Sequence, residues 1–254
     1  MQKINKLSQE KIDSILSDSA AGVFLVDKSI KINSFKAVAV FRKILGIKKV
    51  GFSGTLDPLA TGLLILATGR ATKLLDCFHF LPKVYEAEII FGATSPTYDL
   101  EGEVSRNKDA KEFDKDYLKT IVQKFLGKQK QRAPIFSAKK IDGQKLHKLA
   151  RQGKKVEAPV KEIEMYDLKI LDFAYPKLKL EVKCSAGTYI RSLAHDLGEA
   201  TGQGALLSGL RRTAIGDFLV SKAVKLEDLN EDNIEKYRIP TQDAITSLNQ
   251  QTPQ

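Results

Sequence analysis

Gly51-Phe-Ser-Gly-Thr-Leu-Asp-Pro-Leu-Ala-Thr-Gly62 runs without a break into Leu63-Leu-Ile-Leu-Ala-Thr-Gly69. The first half is a loop of Gly, Ser, Thr and Pro that carries one carboxylate, Asp57. Pro58 fixes its own φ and pushes Asp57 toward an extended backbone, which presents the carboxylate outward. In the second half, Leu63 to Ala67 reads as a buried strand. Taken alone, an Asp in such a setting reads equally as a turn former or a helix cap.

Outward from this loop the pattern is mixed. Gly22 to Asp27 is a short apolar strand. Ser34 is the expected cap of a helix carrying Phe35, Val38, Phe41, Ile44 and Leu45 at helical spacing, with Gly46 as its stop. Arg70 to Leu81 and Lys111 to Leu126 read as helices, Tyr85 to Phe91 as a strand, and Thr94 to Glu103 as a polar turn. Ile163 to Phe173 and the alternating Lys177 to Cys184 read as a hairpin closed by Ala174-Tyr-Pro176. Ser192 to Ala200 is the last core helix. Hairpins between isolated helices predict an α+β fold with a central, mostly antiparallel mixed sheet flanked by helices.

Composition narrows the class. Met1 to Ala21 lacks a continuous apolar core and reads as no secretory signal. No apolar run approaches the roughly 18 residues that span a bilayer. Two cysteines, Cys77 and Cys184, are too few for a disulfide scaffold, so a reducing cytoplasm is expected. The chain carries net charge +10 over 254 residues, and the window Lys128 to Lys161 alone carries +9 of it. This segment is interleaved with Pro134, Ile135, Phe136 and Leu146. Gln144 to Gln152 reads as a short helix with its own apolar stripe. A basic segment with an apolar anchor suits a phosphate backbone, where a solvated charge run is the plainer reading.

Several chemistries find no support. His79, His147, His195 and the cysteines show no metal-ligand spacing. No Gly-x-Ser-x-Gly elbow and no Walker-type phosphate loop occurs. The Gly51–Gly62 run resembles instead the catalytic loop of the TruB family of tRNA pseudouridine synthases. Lys83-Val-Tyr-Glu-Ala87, Ala186-Gly-Thr-Tyr-Ile-Arg-Ser-Leu193 and Ala133-Pro-Ile-Phe-Ser-Ala-Lys139 resemble further stretches of that family, in the family's order. Singly, Tyr85 and Tyr189 read as core aromatics and Arg191 as a surface cation at a helix start.

The resemblance implies a pseudouridine synthase fold and specific roles. Asp57 would carry the reaction, Arg191 would sit against it, and Tyr85 would stack on the base or take a proton. Substrate contacts would come from Tyr189, Phe52, Lys28, Lys73 and Leu210. Lys139, Lys140, Lys145, Lys148 and Arg151 would grip RNA. The implied substrate is uridine 55 in the T-loop of tRNA, flipped out of its stack. The reaction is an isomerisation, so no cofactor or metal is expected, and the protein is expected to act as a cytoplasmic monomer on the tRNA T-arm. Attack on C6 of the base and attack on C1′ of the ribose stay open.

Three departures stand out. Phe52 replaces the family's usual His. Ser29, Lys31 and Asn33 replace its usual Pro, Gly and Thr. Residues after Arg212 are too few for the C-terminal PUA domain of many relatives. The expected division is an N-terminal extension over 1–20, helical, a catalytic domain over 21–215 with a basic insertion over 128–161, and a short tail over 216–254. Two other readings stay open: a non-catalytic tRNA-binding or tRNA-folding protein, and a guide-RNA-dependent synthase subunit.

Overall fold

The computed structural model describes residues 7–136, 140–141, 144–145 and 158–251. In chain order the elements are α1 (Gln9–Leu16), β1 (Gly22–Lys28), α2 (Ser34–Leu45), β2 (Val50–Ser53), β3 (Ala60–Thr68), α3 (Leu75–Phe80) and β4 (Lys83–Phe91). Next come β5 (Ala93–Thr94), β6 (Ser105–Arg106), α4 (Lys115–Gln123), β7 (Gly127–Arg132), β8 (Lys140–Ile141) and β9 (Gln144–Lys145). The chain continues through β10 (Val160–Ala174), β11 (Lys177–Cys184), α5 (Ile190–Thr201) and β12 (Ala205–Ile215). It ends with β13 (Phe218–Leu219), β14 (Val224–Lys225) and α6 (Thr241–Gln250). The residues up to Val84 and those from Arg211 onward form one compact unit, and Tyr85–Leu210 forms another.

In the first unit β1 pairs antiparallel with β3 and parallel with β14, and β2 adds antiparallel to β3. β3 is apolar without alternation because both its faces are covered. Leu63, Ile65 and Ala67 pack with Val23 and Leu25, with Ile15 of α1, Phe78 of α3, and Ala244, Ile245 and Leu248 of α6. Leu64 and Leu66 pack on the other side with Phe24, Val26, and Ala37, Val38 and Phe41 of α2. The expected N-terminal extension is helical over Gln9–Leu16, and it and the expected tail both contribute to the cores. Ile15, Phe218, Val224, Leu226, Ile234 and Ile245 are all buried in these two cores.

α2 begins where expected, with a different cap. Asn33 is the N-cap, and its Oδ1 accepts from Lys36 N at 2.8 Å. Gly46 ends the helix in the left-handed region, φ 65°. The stretch expected as one helix over 70–81 is a 3-10 turn at Gly69–Leu74 followed by α3.

In the second unit β10 pairs antiparallel with β11 and with β7. β11 buries Leu178, Leu180, Val182 and Cys184, as its alternation predicts. Ala174 pairs with Lys177 across the Tyr175-Pro176 loop. α4 starts at Lys115, four residues later than expected, because Asp114 Oδ1 caps it by accepting from Tyr117 N at 2.8 Å. α5 carries Gly198 against β12, where a Cβ would stand 2.0 Å from Ala205 N.

Residues 128–132 and 160–161 of the expected basic insertion belong to paired strands. β7 is a paired strand, with Arg132 opposite Val160 and Gly127 opposite Met165. Gln144 and Lys145, expected to open a helix, form a strand opposite β8. The rest of that expected helix lies outside the described residues. The fold is α+β; β1–β3, β2–β3, β10–β11 and β10–β7 pair antiparallel and β1–β14 pairs parallel.

Candidate active site

The loop around Asp57 is tied at several points within the first unit. Leu56 N donates to Ser34 Oγ at 3.2 Å, Lys31 N donates to Pro58 O at 2.9 Å, and Ala60 N donates to Asp57 O at 3.0 Å. Ser34 therefore holds the loop, while Asn33 caps the helix. Asp57 itself is half-buried. Beneath the loop run two buried cations. Lys28, opposite Gly62 in the β1–β3 ladder, donates through Nζ to Ile32 O at 2.7 Å and Ser29 O at 3.1 Å. Burial pulls the Lys28 ammonium down to about 8; the Asp57 carboxylate offsets part of this and the Arg212 guanidinium adds to it. Arg212 donates to Gly54 O at 2.9 Å and Leu63 O at 2.8 Å.

The second unit holds the other expected catalytic residues. Arg191, in the first turn of α5, is 6% exposed and so is no surface cation. Its Nη1 donates to Thr97 O at 3.1 Å, and both terminal nitrogens donate to Phe136 O at 3.2 Å. Asp99 Oδ2 stands 3.5 Å from Arg191 Nη1, and Asp99 is itself 1% exposed. Thr97 Oγ1 and Glu101 N fix the other Asp99 oxygen, at 2.5 and 3.0 Å. Sequence reasoning missed Asp99, which reads there only as part of a turn. The Tyr189 backbone is held on both sides by the Gln131 amide: Tyr189 N donates to Oε1 at 2.8 Å and Gln131 Nε2 donates to Tyr189 O at 3.0 Å. A buried glutamine in a basic strand thus positions the start of α5. Tyr85 is buried on β4, and Leu210 is half-buried on β12.

The remaining expected residues divide. Phe52 on β2 packs edge-to-face on Phe35, centroids 5.3 Å apart. Lys28, expected as a substrate contact, has a fully buried side chain with backbone acceptors around its ammonium. Lys73 is exposed and donates to Ser14 Oγ of α1 at 3.3 Å. Lys140 and Lys145 are register partners in the β8–β9 ladder. Lys139, Lys148 and Arg151 lie outside the described residues. Among the described residues no three His, Cys, Asp or Glu side chains gather to hold a metal ion. None of the helices among them is long and apolar enough to cross a membrane.

This fold and this loop define a pseudouridine synthase. The chain is similar to a Cbf5-Nop10-Gar1 complex structure at TM-score 0.70 and 27% identity, over 96% of this chain and 66% of that one. It is similar to the archaeal box H/ACA sRNP Nop10-Cbf5 complex at TM-score 0.65 and 25% identity, over 95% of this chain and 65% of that one. The chain thus spans about two-thirds of the length of those structures. The N-terminal domain of the TruB family of pseudouridylate synthases matches residues 42–190, and the C-terminal domain of tRNA pseudouridylate synthase B matches 191–245. The tRNA pseudouridine synthase B of Clostridium tetani is 40% identical over 225 residues, 89% of this chain and 78% of that protein. That of Xylella fastidiosa is 41% identical over 210 residues, 83% of this chain and 70% of that protein. The chain belongs to the TruB family.

Proposed function

We propose that this protein converts uridine 55 in the T-loop of tRNA to pseudouridine, with Asp57 as the nucleophile. The observation that carries the reading is the Asp57 loop, a half-buried carboxylate on a backbone tied to Ser34, Lys31 and Arg212, with the buried Lys28 ammonium in electrostatic contact. An ionised carboxylate on a fixed backbone is a competent nucleophile. The N1–C1′ bond breaks, the base turns, and a C5–C1′ bond forms. The C5 proton leaves and N1 gains one, so the atoms balance without a cofactor. Tyr85 would stack on the flipped base or accept a proton, and stacking of this kind is worth about 1–3 kcal/mol. Arg191 would serve as the third catalytic residue, with Tyr189, Phe52 and Leu210 as substrate contacts. Lys139, Lys140, Lys145, Lys148 and Arg151 would grip the T-arm backbone. The protein would do this in the cytoplasm, as a monomer.

The main alternative is a synthase subunit working with a guide RNA. The likeness to Cbf5 complexes favours it, but at 27% identity against 40% for tRNA pseudouridine synthase B. One assay separates them. Purified protein alone, incubated with an unmodified tRNA transcript, should yield pseudouridine at position 55 and none in a transcript carrying cytidine there. No product without added RNA or protein partners would overturn the proposal.

A further inference from the structure

Both feet of the Asp57 loop rest on one buried side chain. Arg212 lies on β12 and is 1% exposed. Its Nη2 donates to Gly54 O at 2.9 Å, and its Nε donates to Leu63 O at 2.8 Å. These acceptors bracket residues 54–63, with Asp57 between them. The backbone is shaped to the same residue. Gly54 (φ +70°) would place a Cβ 3.1 Å from Arg212 Nη1, and Gly62 (φ +98°) would place one 2.3 Å from Arg212 O. Positive φ and close approach both call for glycine at these two positions. The middle of the loop is tied elsewhere, to Ser34 and Lys31. The strand ends are also held by backbone, with Ser53 opposite Ile65 and Lys28 opposite Gly62, and the planar guanidinium adds the side-chain bridge that fixes the Gly54 carbonyl against the Leu63 carbonyl.

We infer that Arg212 is a positioning residue for Asp57, acting through the loop backbone and touching no substrate. The inference rests on Asp57 being the nucleophile. A guanidinium offers its donors in a fixed planar fork, whereas an ammonium is a point charge on a flexible stem that sets no fixed geometry between its acceptors. Removing the bridge frees the turn at Gly54, which lies beyond the last β2–β3 pair, and carries the carboxylate off its line of attack. A misplacement of about 1 Å costs about 10²-fold in rate.

The test uses the full chain and an unmodified tRNA transcript, with single-turnover rate per folded molecule, tRNA affinity and melting temperature measured together. Arg212→Met should lose about 10²-fold in rate with tRNA affinity unchanged. Arg212→Lys should recover part of that loss. Arg238→Met serves as a matched destabilised control. Arg238 donates to Ala21 O at 3.0 Å, beside the end of β1 opposite Lys28, so its loss should lower melting temperature and leave the rate alone. Arg212→Met turning over at the wild-type rate, or Arg238→Met slowing equally, would overturn the inference. If Arg212→Met does not fold, Arg212→Lys decides: slowed turnover at unchanged affinity supports the inference, and wild-type turnover overturns it. Activity retained by Asp57→Ala would instead remove the reading beneath it.

Discussion

The buried ammonium of Lys28 makes a quantitative prediction. Burial lowers it from 10.5 in the open chain to about 8 in the fold. Between these values the unfolded chain holds a proton that the folded chain has released. Unfolding free energy therefore rises with pH across that window, and below pH 8 the full cost of the buried charge is present. A gap of about 2.5 pH units at 1.36 kcal/mol each is about 3 kcal/mol. The perturbation is Lys28→Met, which keeps the stem and removes the charge. Urea unfolding of both proteins from pH 7 to 10.5 gives the difference, in which all other titrations cancel. Wild type should gain up to about 3 kcal/mol on the variant as pH climbs through the window. Its turnover should also fall above pH 8, as Asp57 loses the neighbouring positive charge, and the variant should lack that limb. A difference that stays flat with pH would refute a charged, buried Lys28.

Other outcomes follow from packing and charge. Asp99→Ala leaves the Arg191 guanidinium buried without the carboxylate 3.5 Å away; it should cost about 3–5 kcal/mol in urea unfolding, and a loss under about 1 would count against the pair. Gly198→Ala drives a methyl to 2.0 Å from Ala205 N. Because the obstacle is backbone, it should cost about 1–3 kcal/mol or more and lower the melting temperature, whereas an unchanged melting temperature would contradict the close approach. Replacing Lys139, Lys140, Lys145 and Lys148 by Gln should flatten the salt dependence of tRNA binding, with the slope falling by about one for each lysine that neutralises a phosphate. An unchanged slope would mean the grip lies elsewhere.

What can be read in the sequence follows the physics of repetition. α2 and β11 announce themselves because one face of each is buried over several periods. β7, Gly127-Lys-Gln-Lys-Gln-Arg132, does not, because only Gln131 among its residues is buried, and its charges read as part of the basic insertion. Between Ile215 and Ile239 the chain reaches its cores through two-residue strands and 3-10 turns, which leave no period to read. The Asp57 loop is visible as a motif, and Arg191 comes with it. The burial of Lys28 is not visible, since a lysine ending an apolar strand gives no sign that it turns inward. Arg212 and Asp99 are silent as site residues. Their importance lies in partners distant along the chain, Gly54 and Leu63 for one and Arg191 for the other.

The central claim is that the carboxylate of Asp57 carries the reaction. Asp57→Asn keeps the shape of the side chain and removes its charge. Single-turnover conversion of an unmodified tRNA transcript, measured with melting temperature and tRNA affinity on the same preparation, tests the claim directly. Asp57→Asn should give a folded protein that binds tRNA as wild type does and forms no pseudouridine above background. Pseudouridine at position 55 at the wild-type rate would contradict it.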